Sequence, residues 1–217
     1  MSENALFYCP RRVISLRTNL RLFGDNHGMN DASLNVALKE WDVVCKALCS
    51  GKLHILLRKG GILEAAGEFE LQHERFLLFP TFVHQQASGL KAPYREGISS
   101  LRAEPDTVQI PGWAQVQKIF RVPGRAQMDA INDLHIWDTP LIDMRFNYRP
   151  DYPLYLILVR AWILPHPVTV ANSIEYAGCK SWVPLMQSVS MQSSVPVGSD
   201  ETLNALQDRI AATFSHV

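Results

Sequence analysis

Several features are scarce in this chain, and each scarcity narrows what it can be. There is no excess of charge: lysine plus arginine number 21 and aspartate plus glutamate also 21. Nothing global therefore draws it to nucleic acid or anionic lipid, and any such binding must use a local patch. The longest apolar run, Leu154 to Leu164, is interrupted by Arg160 and falls short of the about 20 residues of a membrane-crossing helix. A soluble protein is expected. The four cysteines, Cys9, Cys45, Cys49 and Cys179, have neither the density nor the spacing of a secreted disulfide framework, and no CxxC pair suggests zinc. A reducing, cytoplasmic setting fits. His54, His73, His84 and His135 lack HxH, HxxxH or HExxH spacing, so neither a metal nor a cofactor is expected. No internal repeat is present.

What is present suits one α+β domain, because 217 residues with 47% apolar content can bury a sizeable core. Residues 1–28 stand apart. Arg11, Arg12, Arg17 and Arg21 occur there with only Glu3 and Asp25 as acids, which reads as a basic arm or as a mis-assigned start preceding Met29. From Asn30, Leu34, Ala37, Leu38, Trp41, Val44, Cys45 and Leu48 recur at helical spacing, with Gly51 just past the end, and predict a helix.

Two strand-like runs then end in polar clusters. Leu53 to Leu57 stops at Arg58-Lys59-Gly60-Gly61, where a glycine pair allows a tight turn and two cations flank its N–H groups. That is either an anion pocket or an ordinary hairpin turn with solvated charges. Gly67 to Leu71 predicts a half-buried strand. Phe76 to Phe79 meets Pro80, which ends or edges its strand, and Thr81, Phe82, His84 and Gln85 follow at the exit. Ala87 to Pro111 reads as a long surface excursion rich in glycine, proline and serine.

Trp113 to Val122 predicts a strand ended by Pro123-Gly124. Met128 to Ile136 and Leu141 to Tyr148 predict two short helices. Leu154 to Leu164 predicts a central strand whose one charge, Arg160, either pairs with a carboxylate or a bound anion or faces solvent at an edge. Pro165 to Val170 reads as a kinked exit. The single domain spans residues 30–185, and a linker is expected at 186–198. From 199 to 217 an amphipathic helix capped by Ser199 carries Leu203, Leu206, Ile210 and Phe214, ready to dock on the domain or on a protein partner.

The segments ALKEW (Ala37 to Trp41), LLRKGGI (Leu56 to Ile62), RFLLFPTFVHQ (Arg75 to Gln85), LHIW (Leu134 to Trp137), PLYLILVRAW (Pro153 to Trp162) and GCKSW (Gly178 to Trp182) resemble the bacterial and cyanobacterial family catalogued as domain of unknown function 1802. The resemblance covers about Asn35 to Leu185. It implies no established activity. Some members are joined to a restriction-endonuclease domain, which implies a tie to DNA restriction, although the chain has no such nuclease domain and Glu68 and Glu70 are not followed by a lysine at nuclease spacing. More distantly, Leu48 to Arg58 and Leu154 to Pro167 resemble the PUA-like barrels, which include ASCH and EVE domains. That implies a mixed sheet or partly closed barrel with packed helices that binds nucleic acid or reads modified bases.

Three functions stay open. In a nucleic-acid reader, Arg58, Lys59 and Lys180 contact phosphate, Trp137, Trp182 or Phe82 stacks on a base, and Gln85 or His84 reads its edge. Gly60, Gly61, Thr81, Arg160 and Ser181 complete that set. In an enzyme, Cys179 or Ser181 is the nucleophile, His84 or His135 the base, and the Gly60-Gly61 or Gly178 N–H groups the oxyanion site. In a protein-interaction module, the terminal helix carries the partner.

Overall fold

The computed structural model describes residues 32–59, 64–65, 68–69, 72–101, 103–178 and 180–215, with backbone alone at 64–65 and 68–69. The basic arm or alternative start lies outside the described residues, as do Gly60, Gly61 and Cys179. The described chain is α+β, built on an open, mixed, seven-stranded sheet.

The first element corrects the sequence reading. Ser33–Trp41 is a strand, β1, and only Asp42–Cys49 is helical, α1. The apolar spacing that mimicked one helical face serves a strand buried on both sides: Leu38 packs in one core cluster and Ala37 in another. A bulge between Leu34 and Val36 shifts the alternation, so period two is obscured just where it would have been legible. The end of α1 is as expected, with Gly51 at φ +73 and Gly51 N donating to Leu48 O.

The chain continues through β2 (Ile55–Arg58), the two-residue strands β3 (Glu64–Ala65) and β4 (Glu68–Phe69), and β5 (Arg75–Thr81). β3 and β4 pair as a separate ribbon. Within β5, Pro80 pairs with Glu40 of β1 in parallel register, beyond the stretch at Arg75 to Leu77 that pairs with the next strand, β6 (Thr107–Arg121). The proline therefore sits where one flank of β5 is already an edge. The excursion before β6 is shorter than expected and includes the single helical turn α2 (Ala92–Arg95).

After α3 (Arg125–Ala130) and α4 (Thr139–Asn147) comes β7 (Tyr155–Ala171), longer than the sequence suggested. Pro165 and Pro167 do not end it. They fall in an irregular stretch where the register with β6 jumps from Gly112↔Ile163 to Ile110↔Val168. The expected linker at 186–198 instead holds the end of β8 (Trp182–Ser190) and β9 (Val195–Pro196). Val183, Leu185 and Val189 are buried while Pro184, Met186 and Gln187 are exposed, so the serines and glutamines are the outward half of a sheet pattern. Ser199 Oγ accepts from Thr202 N at 3.1 Å and starts α5 (Asp200–Ser215).

Strand order is β2-β7-β6-β5-β1-β8, with β9 added to β7; among the described residues β1 and β5 are the one parallel pair. Helical residues contribute to one core cluster, which holds Val44, Leu48, Met128, Leu141, Leu203 and Ile210. The other is built by strands and Tyr176. α5 spends its apolar stripe on its own domain: Leu203 and Ile210 are buried and Leu206 and Phe214 pack against the same core. The feature that suggested a protein partner is thereby accounted for. Among the described residues no helix is long and apolar enough to cross a membrane.

Candidate functional site

β1 and β5 run parallel and end together, Trp41 opposite Thr81. Beyond paired parallel strand ends, no further ladder fills the space, and a crevice forms there. A cavity of about 560 Å³ opens at this point, lined by Lys39, Glu40 and Trp41 of β1, Phe79 and Thr81 of β5, Arg58, Arg145, His84 and the loops at 104–106 and 172–178.

One side of it is cationic. Arg58 Nη2 donates to Lys39 O at 3.0 Å and forms an ion pair with Glu40 Oε1, with both side chains about nine-tenths buried at 13% and 14% exposure. Arg145 comes from α4 and meets the same carboxylate's field. Burial pushes its guanidinium below the ordinary value, the pull of Glu40 opposing this and the nearby Arg58 adding to it. Arg145 Nε has no hydrogen-bond partner among the described residues. Lys39 Nζ donates to Tyr176 O at 2.6 Å and Gly178 O at 3.1 Å, pinning the 172–178 loop.

The opposite wall is tied by carbonyl and carboxylate acceptors. Glu104 accepts from Phe82 N at 2.9 Å and Val83 N at 3.0 Å, while Asn172 Nδ2 donates to Pro105 O at 2.9 Å and Asn172 N to Asp106 O at 2.7 Å. Thr81 Oγ1 donates to Glu40 O at 3.0 Å, locking the two strand ends together. A second, water-sized void of about 20 Å³ lies against Glu40, Arg145, Trp137 and Leu141.

Of the residues singled out from the sequence, Arg58, Thr81 and His84 line this cavity. Gln85 is beside it in the chain but caps α1, accepting from Val43 N at 3.1 Å. Lys59 is not a solvated cation: it is buried, and its Nζ donates to Phe146 O at 2.6 Å. Trp137 is buried in the core. Trp182 packs edge-on against Phe76 and His73. Arg160 takes the first expected alternative in its carboxylate form, pairing with Asp200 at the start of α5 and lying outside this cavity's lining. Lys180 is exposed and donates to Glu175 O at 3.0 Å. Among the described residues no histidine hydrogen-bonds to Ser181. The residues that reading overlooked are Lys39, Glu40, Glu104 and Arg145. Glu40 stands beside Lys39 in the ALKEW segment, and the helical reading of β1, which rested on the apolar positions alone, gave neither a role.

His135 is buried, and desolvation takes its pKa from 6.5 to about 4, too low for a general base working near neutrality. Because the unfolded chain takes up this proton first, stability present above pH 6.5 is lost as pH falls toward 4, by about 3 kcal/mol from this group. His54 and His73, also lowered by burial, act in the same direction. Urea unfolding between pH 7 and 4 should show that decline, flattened in His135→Gln; an unchanged slope would contradict the assignment.

A family model described as "Domain of unknown function (DUF1802)" matches residues 37–209. No curated protein matches. Among solved structures, the chain is similar to ASCH from Zymomonas mobilis and to a single-residue mutant of that ASCH protein. Identity is 12% in both cases, over 79% of this chain and 93% and 96% of theirs, with TM-scores of 0.39 and 0.38.

Proposed function

The chain belongs to the DUF1802 family, and we propose that it is a nucleic-acid-binding module whose cavity at the ends of β1 and β5 takes one nucleotide of a strand. The observation that carries this reading is a pair of guanidinium groups that share a single nearby carboxylate. Arg58 pairs with Glu40 and Arg145 lies in its field, while the cavity's other carboxylates, Glu104 and Asp106, belong to the loop at 104–106, where Glu104 is engaged by the Phe82 and Val83 N–H groups. A buried cation without a full partner is costly and favours an anion that supplies the missing acceptors. Guanidinium groups suit phosphate, to which they can donate two parallel hydrogen bonds.

The cavity's volume lies in the range of small-molecule sites, and its lining is mixed. Phe79 and Trp41 supply apolar surface, while Thr81, His84 and Asn172 supply polar groups for a base edge. The zero formal charge of the chain confines electrostatic attraction to this patch. Affinity for a single strand should then fall with salt by only about 0.7 log units per log unit for each phosphate engaged. Modified-base reading and a tie to restriction are finer forms of the same proposal.

Arg145→Ala tests it without removing the partner of Glu40. Fluorescence anisotropy with single- and double-stranded RNA and DNA octamers, with and without 5-methylcytosine, should show saturable binding that Arg145→Ala weakens about tenfold or more, the loss of a charge-assisted hydrogen bond. Equal binding by the variant, or no binding to any octamer at low salt, would overturn the reading.

A further inference from the structure

One turn beyond Arg145, the chain leaves α4 and builds an unusual exposed cluster. Tyr148 and Tyr152 are both exposed, at 52% and 40%. Between them, Arg149 adopts φ +47, a left-handed conformation that costs a side-chain-bearing residue energy and persists only where its surroundings enforce it. Tyr152 N donates to Arg149 O at 2.9 Å and closes the turn. The result holds the Arg149 guanidinium 5.4 Å from the Tyr148 ring centroid and 5.9 Å from that of Tyr152. Asp151 shares the loop, but among the described residues it forms no ion pair with Arg149.

The left-handed Arg149 ends α4 just past its C-cap, but two exposed aromatic rings gathered around one cation bury little apolar surface, so packing does not account for them. They do meet the needs of a single strand, whose unpaired bases stack on aromatic rings while its phosphates seek cations. The cluster adjoins the cavity: Tyr148 follows Arg145 by three residues, on the same side of the last turn of α4, and lies within electrostatic reach of it. Arg121, exposed at the end of β6, has Tyr155 as its cross-strand partner a few residues farther on.

We propose that Tyr148, Arg149 and Tyr152 form a stacking platform for single-stranded nucleic acid, holding the nucleotides that flank the one in the cavity. This rests on the nucleotide reading of the cavity and adds the choice of strand state. Bases in a duplex are already paired and stacked, so the platform confers a preference for single strands.

The experiment compares the full chain with Tyr148→Ala/Tyr152→Ala and Tyr148→Phe/Tyr152→Phe. Ligands are a single-stranded RNA octamer and its duplex by anisotropy, and a nucleoside monophosphate by calorimetry, with thermal unfolding as the folding control. The alanine pair should lose about tenfold or more in octamer affinity, keep wild-type affinity for the monophosphate, and be matched to wild type by the phenylalanine pair. Octamer binding unchanged in the alanine pair, duplex binding as tight as single-strand binding, or no octamer binding by the wild type would each overturn the platform. Octamer binding that needs the tyrosines, with no monophosphate binding, would support the platform and overturn the cavity reading alone.

Discussion

Gly112→Ala is expected to leave little stably folded protein at 37 °C. A Cβ at this position would stand 2.2 Å from Trp162 O and 3.3 Å from Cys49 Sγ. The first contact is with backbone in the neighbouring strand, at the register shift where Gly112 pairs with Ile163, so relief requires moving β7 itself. Next to it Trp113 and Trp162 stack at 4.0 Å with planes 4° apart, and separating the strands would also undo that contact. A cost above about 4 kcal/mol follows, in the far tail of single substitutions and comparable to a domain's whole stability. Gly124→Ala is the control, because its Cβ would meet only the flexible end of Gln127 at 3.2 Å. Far-UV circular dichroism and urea unfolding of both variants decide the matter; Gly112→Ala as stable as wild type would refute the argument.

Glu40→Gln should act with opposite signs on stability and on anion binding. In the free protein it removes the carboxylate that faces Arg58 and lies in the field of Arg145. Two largely buried guanidinium groups are then left with neutral acceptors, at a cost of about 3 kcal/mol, near the lower end for breaking a buried ion pair. The same change makes the cavity more positive. Phosphate-bearing ligands should bind the variant more tightly and raise its unfolding temperature by more than they raise that of wild type. Thermal unfolding with and without a nucleoside monophosphate measures both effects. Unchanged stability would mean that Glu40 does not compensate these cations, and weaker ligand binding would place it among the ligand's own contacts.

How far the fold was legible differs by element, for physical reasons. Leu53 to Leu57, Phe76 to Phe79 and the core of β7 were readable because short, continuous apolar runs bounded by turn residues or proline suit strands buried on both faces. The terminal helix was readable from Ser199 and a clean apolar stripe. β1 was misread because a strand buried on both faces and broken by a bulge carries apolar residues at spacings a helix also uses. β8 was missed because its exposed face is so rich in serine and glutamine that the buried Val183, Leu185 and Val189 were outweighed.

The candidate site was legible only in part. Arg58, Thr81 and His84 could be named because they stand where strands end, and strand ends are where polar groups meet space. Lys59 and Trp137 were equally suitable by type, and packing sent both into the interior. By itself the sequence determined the continuous apolar strands, the terminal helix, the helix-ending Gly51, the absence of a global charge and the presence of cationic side chains beside strand ends, since each depends on composition or on neighbours within a few residues. Only the tertiary structure decided that Glu40, Arg58 and Arg145 share one cavity. That convergence depends on the parallel pairing of β1 with β5 and the packing of α4 beside them, and Coulomb forces between charges follow distance in space, whatever their separation along the chain.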